Sequence, residues 1–73
     1  MAEVQQRFGA AVRRTRREKG LSQERLAEIA GLDRTYISGL ERGVRNPALS
    51  TQQRIALALG VSLASLLTDE EVE

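Results

Sequence analysis

The chain has 73 residues and a mass of 8.1 kDa, room for one small domain. It has no cysteine and no histidine, which excludes disulfides, thiolate- or imidazole-held metals and imidazole acid–base chemistry. Its net charge of +1 conceals an uneven split: Asp69, Glu70, Glu71 and Glu73 hold four of the ten acids, so residues 1–68 form a basic body. A basic body with an acidic tail fits a polyanionic partner, and it fits an ordinary solvated surface equally well. No apolar run approaches the roughly 18 residues that span a bilayer, and no signal-type segment opens the chain. The expectation is a cytoplasmic protein without a membrane partner.

The pattern is helical throughout. The first helix is expected from Ala2 to Lys19, with Val4, Phe8, Val12 and Thr15 on one stripe at intervals of four and three. Five bases gather toward its end: Arg13, Arg14, Arg16, Arg17 and Lys19. Cations there complement the helix dipole. Gly20 closes the helix and Ser22 opens a second, Gln23 to Ala30, burying Leu26, Ala27 and Ala30. Gly31, Leu32 and Asp33 then separate it from a third, Arg34 to Arg42, burying Ile37 and Leu40. Leu32 is expected to plug the elbow and Asp33 to cap the third helix.

Gly43 to Leu49 forms a loop with the only proline, Pro47. A fourth helix is expected from Thr51 to Leu59, with Ser50 and Gln53 at capping-box spacing. It buries Ile55, Ala58 and Leu59. After Gly60, Ser62 opens a short fifth helix, Leu63 to Leu67. No alternating strand pattern or hairpin signal appears. Residues 69–73 are expected to fray.

Two helices joined by three residues that include a glycine form a helix-turn-helix. In that arrangement the second helix enters the major groove and its first turns reach base edges. The run GLSQERLAEIAGLDRTYISGLERGVRNP, continued by IALALGVSLASLL, resembles the Cro/repressor-type helix-turn-helix family of phage and bacterial regulators. The likeness spans residues 8 to 67. Within it, LDRTYISGLERGVRN looks like the restriction–modification controller proteins, a small dimeric branch. The resemblance implies an all-α, five-helix, lambda-repressor-like domain over residues 1–68, followed by the acidic tail 69–73.

Residue by residue, the resemblance implies base contacts from Arg34, Thr35 and Ser38. Arg34 suits guanine O6 and N7, and Thr35 suits a thymine methyl or a base edge. Arg34 also opposes the dipole at its helix start, which favours a functional reason for it. Backbone contacts are implied for Gln23, Arg42, Arg45 and Asn46, with Arg45 or Asn46 also within reach of bases. Tyr36 either reaches a phosphate or packs on the second helix. The family pairs the residues at Arg16 and Glu41 in a structural salt bridge between the first and third helices. Thr15 stands where the family carries a larger apolar residue, and Ala11 where it often carries a base. Gly39 costs about 1 kcal/mol in a helix interior. Its bare backbone allows close approach either to DNA or to a neighbouring helix, and it argues against a base contact from this position.

The fourth helix is apolar on more than one face. Leu57 lies roughly 200° from Ile55, at about 100° per residue. With Ala64, Leu66 and Leu67 it makes a candidate homodimer interface, the region that the controller branch uses. The function expected is a sequence-specific, double-stranded-DNA-binding transcriptional regulator, acting as a homodimer on a palindromic operator, of the controller and autoregulatory kind. No cofactor or metal is expected. An antitoxin or protein-interaction module on the same fold is the alternative. An enzyme is disfavoured: there is no phosphate-cradling glycine loop and little volume for a closed pocket of about 300 Å³ or more.

Overall fold

The computed structural model describes residues 2–68 of the chain. The fraying expected for residues 69–73 lies outside them. Five helices follow in order: α1 (Ala2–Glu18), α2 (Gln23–Ala30), α3 (Arg34–Glu41), α4 (Leu49–Leu59) and α5 (Leu63–Leu67). Among the described residues there is no strand. α3 packs on α1 and α2, α4 on α2 and α5, and α5 returns to α1, so the elements close around one core. Phe8, Val12, Leu26, Ile37, Leu40, Ile55, Leu59 and Leu66 fill it.

The C-terminal ends of α1 to α4 share one chemistry. Gly20, Gly31, Gly43 and Gly60 all have positive φ. At Gly31 the φ of 72° lets its N–H reach the Glu28 carbonyl at 3.3 Å while Leu32 N–H reaches Ala27 at 2.8 Å. These two bonds are the Schellman closure of a helix, and they throw the chain sideways into α3. Leu32 then packs against the core, plugging the elbow as expected. Ser22 caps α2 by accepting from the Arg25 N–H at 2.9 Å, and Ser62 caps α5 from Ser65 at 3.1 Å.

α1 and α3 approach closely because Gly9 has no side chain. A Cβ there would overlap the Leu40 and Glu41 carbonyl oxygens. Gly9 stands three residues before Val12 and seven before Arg16, on the same stripe. The closeness sets the stage for the polar contact between Arg16 and α3 described below.

Several expectations change. Val4 is 65% exposed rather than core, because the first turn of α1 offers this face only a shallow hollow with Arg7, Phe8, Leu66 and Leu67. Thr15 and Ala58 are only half-buried. α4 begins at Leu49, and its N-cap is Ala48 in extended backbone, so Ser50 lies inside the helix and the Ser50–Gln53 capping box does not form. The Gln52 carboxamide instead donates to the Pro47 carbonyl at 3.1 Å, tying the loop to the first turn. Asp33 occupies the N-cap of α3, but its side chain makes no capping hydrogen bond; its carbonyl accepts from Tyr36 and Ile37, each at 3.1 Å. α1 and α3 also end one residue early, within the usual fraying of a last turn.

Candidate nucleic-acid interface

α3 presents a split surface. Ile37, Leu40 and Glu41 face inward, whereas Arg34 and Thr35 are exposed and Ser38 is half-buried on the outward side. The residues expected to read bases therefore share one accessible face at the start of the helix. Arg34 follows Asp33, whose carboxylate offsets part of the cation's unfavourable position at the helix N-terminus.

Behind that face lies a buried polar brace. Arg16 donates from Nε to Glu41 Oε2 at 2.7 Å and from Nη2 to Oε1 at 3.1 Å, a bidentate pair. The two side chains are 9% and 3% exposed. Such a pair is stable only when its remaining hydrogen-bonding groups are satisfied. Two further bonds serve that need: Arg16 Nη1 donates to the Leu21 carbonyl at 2.8 Å, and Gln23 Nε2 donates to Glu41 Oε1 at 3.0 Å. One network thus joins α1, the α1–α2 turn, the start of α2 and the end of α3. Gln23 spends one amide hydrogen on this brace, and its second hydrogen and the first-turn N–H groups of α2 suit an oxyanion.

A cleft beside the brace is lined by Arg13, Arg16, Arg17, Gln23, Ser38, Glu41 and Arg42. It brings together Gln23 and Arg42, two of the residues expected to contact the DNA backbone. It also recruits Arg13 and Arg17, whose basic character reads in sequence as dipole complementarity alone. The signal that could have found them is their four-residue spacing, which puts both on one face of α1. Arg42 is held over the helix by a 3.4 Å hydrogen bond from Nε to the Ser38 carbonyl.

Arg45 and Asn46 are exposed in the loop between α3 and α4. The Arg45 guanidinium carbon lies 5.3 Å from the centre of the Tyr36 ring. Tyr36 is half-buried and packs against the core. The sequence reading missed Arg54. From α4 it donates through Nε to the Ala30 carbonyl at 3.2 Å and through Nη2 to Gly31 at 2.8 Å. It therefore clamps the end of α2 at the elbow, and nothing in local periodicity points to a bond across 23 residues.

The expected dimer residues separate. Leu57 is 70% exposed and borders a hollow with Ile29, Arg54 and Ala58, whereas Leu67 is 52% exposed and borders the one with Val4 and Phe8. Ala64 is exposed. Leu66 is only 3% exposed and belongs to the chain's own core, so its placement in an interface is corrected: α5 is one turn long and turns this side chain inward against α1. Among the described residues no helix is long and apolar enough to cross a membrane.

Known proteins resemble this chain in sequence and fold. A family model described as helix-turn-helix matches residues 12–66. The control protein C.MunI of Mycoplasma sp is 42% identical, with the whole of both chains covered. The crystal structure of the restriction–modification controller protein C.AhdI from Aeromonas hydrophila matches with a TM-score of 0.85 at 44% identity, covering 90% of this chain and 98% of that one. The controller C.Esp1396I, solved as a tetramer in complex with its natural 35 base-pair operator, matches with a TM-score of 0.79 at 34% identity, covering 90% and 96%. Sequence and backbone agree over the same span, and the chain belongs to the Cro/repressor-type helix-turn-helix family, in the company of the restriction–modification controller proteins.

Proposed function

We propose that the protein is a sequence-specific, double-stranded-DNA-binding transcriptional regulator of the controller kind, autoregulatory and acting as a homodimer on a palindromic operator. The observation that carries this reading is the outward face of α3, with Arg34 and Thr35 exposed on a helix whose other end is locked by the Arg16–Glu41–Gln23 network. A rigid helix presenting short polar side chains and one guanidinium is suited to direct readout in the major groove. Arg34, Thr35 and Ser38 read base edges. Gln23, Tyr36, Arg42, Arg45 and Asn46 hold the phosphate backbone, and Arg13 and Arg17 extend that grip along α1. Phosphate contacts set register without carrying sequence information.

The DNA-binding unit spans residues 1–68, with residues 69–73 as an acidic tail. Exposed Leu57, Ala64 and Leu67 on α4 and α5 pair two protomers, and the two recognition helices then meet half-sites about 34–36 Å apart on one side of the duplex. The protein works in the cytoplasm by occupancy of its site, without catalysis, cofactor, metal or membrane.

The test is fluorescence anisotropy with a duplex from just upstream of the protein's own gene, beside a scrambled duplex of equal length. At about 150 mM salt, specific and non-specific affinities typically separate by 10³ or more. The expected result is tight binding to the upstream duplex alone. Equal, weak binding to both would remove autoregulation and place the alternative, a protein-partner role, first.

A further inference from the structure

Gly39 is an anomaly on a recognition helix. It lies on the outward face of α3, one turn beyond Thr35, where a longer side chain would project with it. Yet it is buried, and what buries it is the loop that follows. A Cβ placed on Gly39 would stand 3.1 Å from Arg45 Nε, 3.2 Å from Arg45 Cγ and 3.3 Å from Val44 Cγ2. The loop reaches this position because Gly43 reverses the chain and Val44 N–H bonds back to the Gly39 carbonyl at 3.0 Å. Arg45 then crosses the helix at the bare glycine and brings its guanidinium to the Tyr36 ring at 5.3 Å.

Two independent features therefore fix one side chain: a glycine that gives it room and an aromatic ring that holds its charge. The geometry points to Gly39 as a positioning residue for Arg45. The missing side chain at 39 is replaced on the outward face of α3 by a guanidinium delivered from the loop, pre-ordered before any duplex arrives. That pre-ordering reduces the rotamer freedom a long side chain loses on binding. The inference rests on the DNA-binding reading above. The ligand chemistry is an acceptor oxygen of the duplex, on a base edge or on a phosphate.

The experiment compares the wild-type protein with Gly39→Ala, Arg45→Ala and the double variant, by anisotropy on the upstream duplex and by thermal melting. Alanine suits a helix interior better than glycine, which offsets the crowding of Arg45 and Val44, so Gly39→Ala is expected to melt close to wild type. It is nonetheless expected to lose about ten-fold in affinity, as is Arg45→Ala, with the double variant losing no more than either one. Losses that multiply in the double variant, or Gly39→Ala binding as wild type, overturn the assignment. Independently of DNA, NMR of the protein alone is expected to give Overhauser contacts between Gly39 Hα and the Arg45 side chain, with Arg45 δ-protons shifted by the Tyr36 ring. Absence of both overturns the seat whatever the duplex results.

A panel of single-base-pair-substituted duplexes separates the two acceptors. If Arg45→Ala relaxes discrimination at one base pair per half-site, the acceptor is a base edge. If it weakens all duplexes alike and lowers the salt slope by about one, the acceptor is a phosphate. Wild-type protein that binds no duplex overturns the DNA-binding reading itself and the inference with it, an outcome distinct from intact wild-type binding with independent losses at 39 and 45.

Discussion

Arg34 is the residue whose chemistry most directly tests the interface. It is exposed at the first turn of α3, where a cation opposes the helix dipole. A bidentate pair with guanine is worth about 1–3 kcal/mol of discrimination. Arg34→Ala is therefore expected to lower operator affinity by that amount and to relax preference at one base pair per half-site, while leaving the scrambled duplex almost unaffected. Titrating both duplexes checks it, and equal losses on the two would assign Arg34 to the backbone instead. At this scale legibility was uneven. Arg16 and Glu41 could be paired because the family resemblance assigns them to each other. Gly39 registered as anomalous, but its occupant could not be named, since Arg45 returns to it only through the path of the loop. Arg54 was silent because backbone carbonyls, its partners at Ala30 and Gly31, carry no side-chain signature.

Among the elements, α2, α3 and α5 start where the sequence predicts, because Ser22, Asp33 and Ser62 stand at their N-caps and glycines close the helices before them. α4 is the exception. Pro47 and the Gln52–Pro47 bond bring the chain into helix two residues before the first predicted position, leaving Ala48 as a cap without a side-chain acceptor. Ala48→Ser is accordingly expected to stabilise the protein by about 1 kcal/mol, and Ser50→Ala to leave it nearly unchanged. Chemical denaturation measures both; a large loss for Ser50→Ala would restore the capping box. The polar brace makes a stronger demand. Removing Glu41 leaves Arg16, whose side chain is 9% exposed in the intact protein, with the Leu21 carbonyl as its remaining bond in this network. Glu41→Ala is expected to cost about 3–5 kcal/mol. A domain of this size has little more to lose, so the variant should be largely unfolded near 37 °C by circular dichroism. A melting curve close to wild type would mean that the brace adds little to stability.

For the whole molecule, the proposed function gives the outward face of α3 one half-site and calls for a second copy to read the other. The periodicity of α4 and the resemblance to the controller branch point to α4 and α5 as the pairing region, and Leu57 does lie outside the core, at 70% exposure. They could not separate Leu67 from Leu66, because a one-turn helix gives too short a period to tell its inward side. Leu57→Asp changes an exposed position, so the monomer fold is expected to melt within about 0.5 kcal/mol of wild type. Burying that carboxylate between two protomers is unfavourable, so sedimentation should show the variant shifted to monomer. Loss of pairing removes the gain from two linked contacts, a factor of about 10² to 10⁴ in avidity. Affinity for a full palindrome should fall by at least the lower figure, while affinity for a single half-site stays unchanged. A variant that remains dimeric would move the interface away from Leu57, and equal losses on full and half sites would mean that the substitution had damaged the DNA-reading face itself.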